Sequence, residues 1–163
     1  MTRLRTRHLA APLVAAALLT APVTAHAAPR PQEEARTLDW VAVPTEDSAF
    51  AAGLVHPGAA WTVYAHLHEN DGGRPGKRIG DATARCNVVK VNQHGHVTQC
   101  ERVLRTEAGH LTLADMMDHH HGSGPHSAPA AVTGGTGAYA DAEGEATVAE
   151  HDGHTTFRIV LDD

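Results

Sequence analysis

Basic clusters, cysteines and helical periodicity are all scarce in this chain of 163 residues, and each shortage removes a class of function. The formal charge is −6, and removing the three arginines of the first 27 residues takes it to −9. Phosphate contacts need clustered Lys and Arg, so no nucleic-acid partner is expected. Two cysteines are too few for a disulfide-knot scaffold or a four-cysteine zinc site. No serine sits in a Gly-x-Ser-x-Gly setting, which removes the usual hydrolase signature. Aromatic side chains make up only 4%. The abundant residue is histidine, with fourteen, twelve of them after residue 27.

Residues 1–27 read as a secretory signal. Arg3, Arg5 and Arg7 precede an apolar run from Leu9 to Val23, and Ala25-His26-Ala27 is a small-x-small cleavage site. The run is short and broken by Pro12 and Pro22, a poor match to about 30 Å of hydrocarbon. No later stretch is long and apolar enough to span a bilayer. The expected product is secreted, with no membrane span, in a compartment that permits disulfides. Residues 28–36 are polar and Pro-rich and read as a flexible N-terminal segment. The remaining 37–163 suffice for one domain with one core.

From Thr37 onward the pattern is that of strands. Trp61, Val63, Ala65 and Leu67 alternate with Thr62, Tyr64, His66 and His68. Periodicity leaves open which of the two faces points inward. Asp71 to Gly76 reads as a loop. Ala82–Val91 and Val97–Arg105 form a hairpin; centred on Gln93, it pairs residues whose numbers sum to 186. That register sets Cys86 opposite Cys100, Val89 opposite Val97 and Arg85 opposite Glu101, so one alignment predicts a disulfide, an apolar pair and an opposite-charge pair. A second hairpin turns at Asp152-Gly153, a favoured type I′ pair, and sets Val148 opposite Phe157 and Ala146 opposite Ile159. Gly109–Met117 and Ala130–Thr133 supply further strands. Short strands with frequent turns predict an all-β antiparallel barrel or sandwich, with little α-helix.

Two composition-biased stretches invite functional readings. Gly134-Gly135-Thr136-Gly137 lacks the Lys-Ser/Thr of a phosphate loop and reads as a turn or bulge needing positive φ. Asp115, Asp118, His119, His120, His121 and His126 lie within twelve positions, in what reads as a solvated Gly/Pro-rich connection. Imidazole and carboxylate suit Zn²⁺, Ni²⁺ or Cu²⁺. Consecutive histidines in such a loop cannot all face one ion, so the expectation is weak divalent binding by His119, His120, His121 and His126, with no required cofactor.

Several blocks together resemble the allene oxide cyclase and dirigent superfamily, in its secreted bacterial branch. They are Lys77-Arg78-Ile79-Gly80-Asp81, Cys86 to Val91, Gly109-His110-Leu111-Thr112, Ala131 to Tyr139, and Gly144-Glu145-Ala146-Thr147-Val148. The resemblance implies an eight-stranded antiparallel β-barrel with a central apolar cavity, and association into homo-oligomers. In that family the barrel holds a reactive apolar molecule in one shape, so orientation carries much of the effect. Bacterial relatives commonly carry an Asp pair before the residue matching Leu67, where this chain has Ala65 and His66. His66 is therefore the candidate catalytic group. Trp61, Tyr64, His66 and Tyr139 are the candidate ligand-binding residues.

The leading expectation is a secreted barrel that binds a small apolar molecule. If it is an enzyme, it is cyclase-like or dirigent-like. Two other readings stand beside it: an extracellular metal-binding protein using the 115–126 loop, and a ligand-free barrel with an interaction role.

Overall fold

Side-chain alternation decides what each strand shows to the interior, and here eight alternating strands close on themselves. The computed structural model describes residues 35–45, 55–122 and 124–162. The expected signal at 1–27 and nearly all of the expected flexible segment at 28–36 lie outside the described residues. The strands are β1 Arg36–Pro44, β2 Ala60–Asp71, β3 Arg74–Asn92, β4 Gly95–Thr106, β5 Gly109–His120, β6 His126–Gly135, β7 Glu143–His151 and β8 His154–Asp162. Each pairs antiparallel with the next, and β1 pairs with β8, so the sheet is a closed barrel without free edges. Among the described residues there is no α-helix, only a 3₁₀ turn at Gly137–Tyr139. No helix among them is long and apolar enough to cross a membrane.

The predicted register holds where the disulfide is. Cys86 pairs with Cys100 and Arg85 with Glu101, and the sulfurs are bonded. It fails nearer the turn. Val97 faces Lys90, and Val89 is the extra residue of a bulge. The reason is arithmetic: the turn has two residues, Gln93 and His94, so Asn92 meets Gly95 and the pair sum there is 187. The disulfide requires 186, and one bulged residue absorbs the difference. Gly95 is confined to glycine, because a Cβ there would strike the His119 carbonyl oxygen at 1.8 Å.

Other boundaries move as well. The 71–76 loop shrinks to Gly72-Gly73, with β3 starting at Arg74. The 115–126 connection shrinks still more, because β5 runs to His120 and β6 begins at His126. Strand pairing satisfies backbone groups that a loop would leave to water, and this outweighs the polar composition. In the last hairpin Val148 faces Phe157 and Ala146 faces Ile159, as expected. The turn is not type I′: Gly153 has φ of 80°, but among the described residues none other than glycine, Asp152 included, has positive φ. In the Gly134–Gly137 segment, Gly134 and Gly137 take positive φ beside a bulge in the β5–β6 pairing.

The interior is filled at one end and hollow at the other. Trp40, Leu67, Leu104, Leu111, Leu161 and Tyr139 pack the end where the 3₁₀ turn sits. Toward the other mouth the inward positions carry Ala42, Ala65, Ala82 and Ala84. Alanine leaves unfilled the volume that leucine occupies at equivalent depth, so the small residues make the cavity.

Candidate functional site

The cavity measures about 320 Å³, within the range of small-molecule sites. Trp61, Val63 and Phe157 join the four alanines as its apolar walls, and Cys86 presents the disulfide to it. Its polar side carries Arg102, Glu150, His96 and His119, with His151 and His154 at the rim.

Arg102, on β4, is buried. Its Nε donates to Asp115 Oδ1 at 2.6 Å and its Nη2 to Asp115 Oδ2 at 3.2 Å, a two-point clamp. The same Nη2 donates to Glu150 Oε1 at 3.0 Å. Asp115 is fully enclosed, whereas the Glu150 side chain remains 32% exposed. Burial disfavours the Arg102 charge, but the hydrogen bonds and charges of Asp115 and then Glu150 outweigh it and hold the guanidinium pKa above its ordinary value. The guanidinium thus fixes the Glu150 carboxylate at the edge of the cavity.

Three imidazoles from three strands meet beside this group. His96 lies parallel to His119 with ring centroids 4.6 Å apart, and His126 meets His119 at 4.8 Å. Thr98 Oγ1 and His119 Nε2 share a hydrogen bond of 2.9 Å. Burial pushes the pKa of both His96 and His119 below the ordinary imidazole value; the charge of His126 adds to the shift at each, and Glu150 opposes it. At neutral pH they are uncharged. A carboxylate beside neutral imidazoles can accept or relay a proton from a bound molecule.

These shifts link folding to pH. The unfolded chain binds protons to His96 and His119 more readily than the folded one, so their contribution is complete above about pH 6.5 and is lost as pH falls through the lowered folded-state pKa. Asp81 behaves differently. Hydrogen bonds from Arg105 and then Arg78 hold its carboxyl far below the usual range, so its contribution is lost only below about pH 4. The thermal midpoint should therefore drop between pH 7 and pH 5 in the native chain, and His119→Gln should flatten that slope. Equal midpoints at the two pH values would overturn the assignment.

Of the four expected ligand-binding residues, the structure brings only Trp61 to this cavity. Tyr64 and His66 occupy the outer face of β2, edge to face with ring centroids 6.3 Å apart. The strand's inward face is the apolar one, so the polar residues between point to solvent. Tyr139 is buried at the filled end, edge-on to Trp40 and under the Arg36 guanidinium. Of the four expected metal ligands, His119 and His126 come into ring contact, and His120 and His121 do not join them. His119 and His120 end β5, His121 follows it, and His126 begins β6. His119 and His126 are half-buried, whereas His120 and His121 are exposed. The stacked rings of His96 and His119 are 4° from parallel, so their in-plane lone pairs do not converge. Among the described residues no group of three or more His, Cys, Asp or Glu is arranged to hold an ion.

Arg102 and Glu150 escaped the sequence reading, although parity could have found them. Arg102 shares the inward parity of Cys100 and Leu104, and Asp115 that of Leu113 and Met117. Glu150 shares that of Ala146 and Val148. Charged residues in the register of an apolar face signal a buried ion pair.

No protein-family model matches the chain. No curated protein matches it either. Among solved structures, a pyocyanin demethylase is similar over 77% of this chain and 99% of its own, with 23% identity and a TM-score of 0.57. At that identity the likeness shows the fold alone, a β-barrel of this kind.

Proposed function

We propose that this chain is an exported barrel that binds one small, largely apolar molecule in the cavity between Trp61, Phe157 and Glu150. The observation that carries the reading is the uneven filling of the barrel. Leucines and aromatics close one end, and alanines leave about 320 Å³ at the other with polar groups on one side only. The similar solved structure is named for an action on a small molecule, which agrees with this use of the barrel. The sequence blocks that resemble the allene oxide cyclase and dirigent superfamily support the same reading. The N-terminal leader and the disulfide support export.

Trp61 reports on the cavity, whereas Trp40 is buried at the filled end. A Trp40→Phe protein titrated with naphthalene should show saturable quenching of Trp61. Native mass spectrometry of the purified chain should show a carried small molecule or capture of the added one. Ala84→Phe fills the cavity from β3 and should weaken binding about tenfold or more, while the thermal midpoint stays nearly unchanged. Undiminished binding in Ala84→Phe would place the ligand elsewhere and overturn the reading.

A further inference from the structure

We infer that the cavity selects a ligand that carries a positively charged nitrogen on its apolar body. The inference rests on the binding reading above and specifies its chemistry.

The charges around the cavity do not cancel. Arg102 supplies one positive charge, and Asp115 and Glu150 supply two negative ones. Arg102, on the cavity's polar side, and Asp115, behind it, meet through two hydrogen bonds. Glu150 is the surplus charge. Only its Oε1 accepts from Arg102, at 3.0 Å, and its side chain is partly exposed at the cavity wall. The other titratable groups on the lining are His96, His119, His151 and His154. His96 and His119 have lowered pKa values and add no positive charge at neutral pH.

Arg102 is a poor anchor for an anionic ligand. Its Nε and Nη2 are committed to Asp115 and Glu150, whose two carboxylates outweigh its single charge, so an incoming carboxylate would face the charge of Glu150. A cationic nitrogen meets the opposite situation. It can donate a charge-assisted hydrogen bond to Glu150 while its apolar body lies against Trp61 and Phe157, whose rings also attract cations. A neutral ligand of the same shape gains the walls and not the charge.

The test uses three probes with one body: 1-naphthylmethylamine, 1-naphthalenemethanol and 1-naphthoate, each titrated at pH 7.5 into the full chain by calorimetry. The amine should bind about tenfold more tightly than the alcohol, the step expected for one hydrogen bond to a charged group. The naphthoate should bind more weakly than the alcohol. In Glu150→Gln, which retains an oxygen to accept from Arg102, the amine-to-alcohol ratio should fall close to one and naphthoate should gain. Thermal unfolding of the variant verifies that it is folded. An alcohol that binds as tightly as the amine in the native chain would overturn the inference and leave the binding reading standing. So would a tenfold ratio that persists in Glu150→Gln. Failure of all three probes to bind would overturn the binding reading and this inference with it.

Discussion

Replacing Arg102 with methionine is expected to cost about 3–5 kcal/mol of unfolding free energy. Arg102 and Asp115 are both nearly inaccessible and hold each other through two hydrogen bonds. Methionine approximates the arginine stem but leaves the Asp115 carboxylate enclosed without its partner. An unpaired buried charge is costlier than the pair was worth, because the pair had already offset most of its own desolvation. The double replacement Arg102→Met with Asp115→Leu removes both charges and should recover most of the loss. Glu150→Gln should cost far less, since its side chain is partly solvated. Urea unfolding with a shared slope would check all three proteins. A single-variant loss under about 1 kcal/mol, or a double variant no better than the single, would show that the pair is not the internal brace described here.

Removing the Cys86–Cys100 bridge is expected to cost about 3 kcal/mol. The two residues are 14 apart in sequence, and closing a loop of about 15 residues restricts the unfolded chain by that amount on the chain-entropy picture. The double variant Cys86→Ala with Cys100→Ala tests it, and full reduction of the native chain should produce a similar loss. Both sulfurs are buried and face the interior, so the alanine variant also enlarges the cavity beside Cys86. It should therefore be somewhat less stable than the reduced chain. The fold should survive, because eight paired strands and the leucine-filled end remain. A reduced protein, verified by thiol titration, with unchanged guanidinium unfolding would overturn the prediction.

The extent to which the barrel is legible in the sequence differs by element. The Cys86, Cys100, Arg85 and Glu101 register follows from residue types alone, since one alignment sets two cysteines and two opposite charges across from each other. The Val89–Val97 pair does not, because turn length is set by local geometry that composition does not report. The histidines mislead for a similar reason. His119 to His126 look like a solvated loop by composition, yet His119 and His126 lie on paired strands, His119 stacks on His96, and His126 meets His119 at a tilt. Of the candidate ligand residues, Trp61 reaches the cavity; Tyr64 and His66 lie on the outward face of β2, which alternation alone does not distinguish from the inward one, and Tyr139 is buried at the filled end.

Local sequence by itself determined the strands, most of the hairpin pairing and the bridge. These depend on alternation and on neighbours a few residues away across a turn, which a linear pattern records. Closure of the barrel, the inward face of β2 and the cavity were decided only by tertiary structure. So was the meeting of Arg102 on β4 with Asp115 on β5 and Glu150 on β7, the last separated from Arg102 by 48 positions. Nothing local favours that contact. It exists because the closed sheet turns three inward positions toward one enclosed volume, where charges deprived of water must find each other.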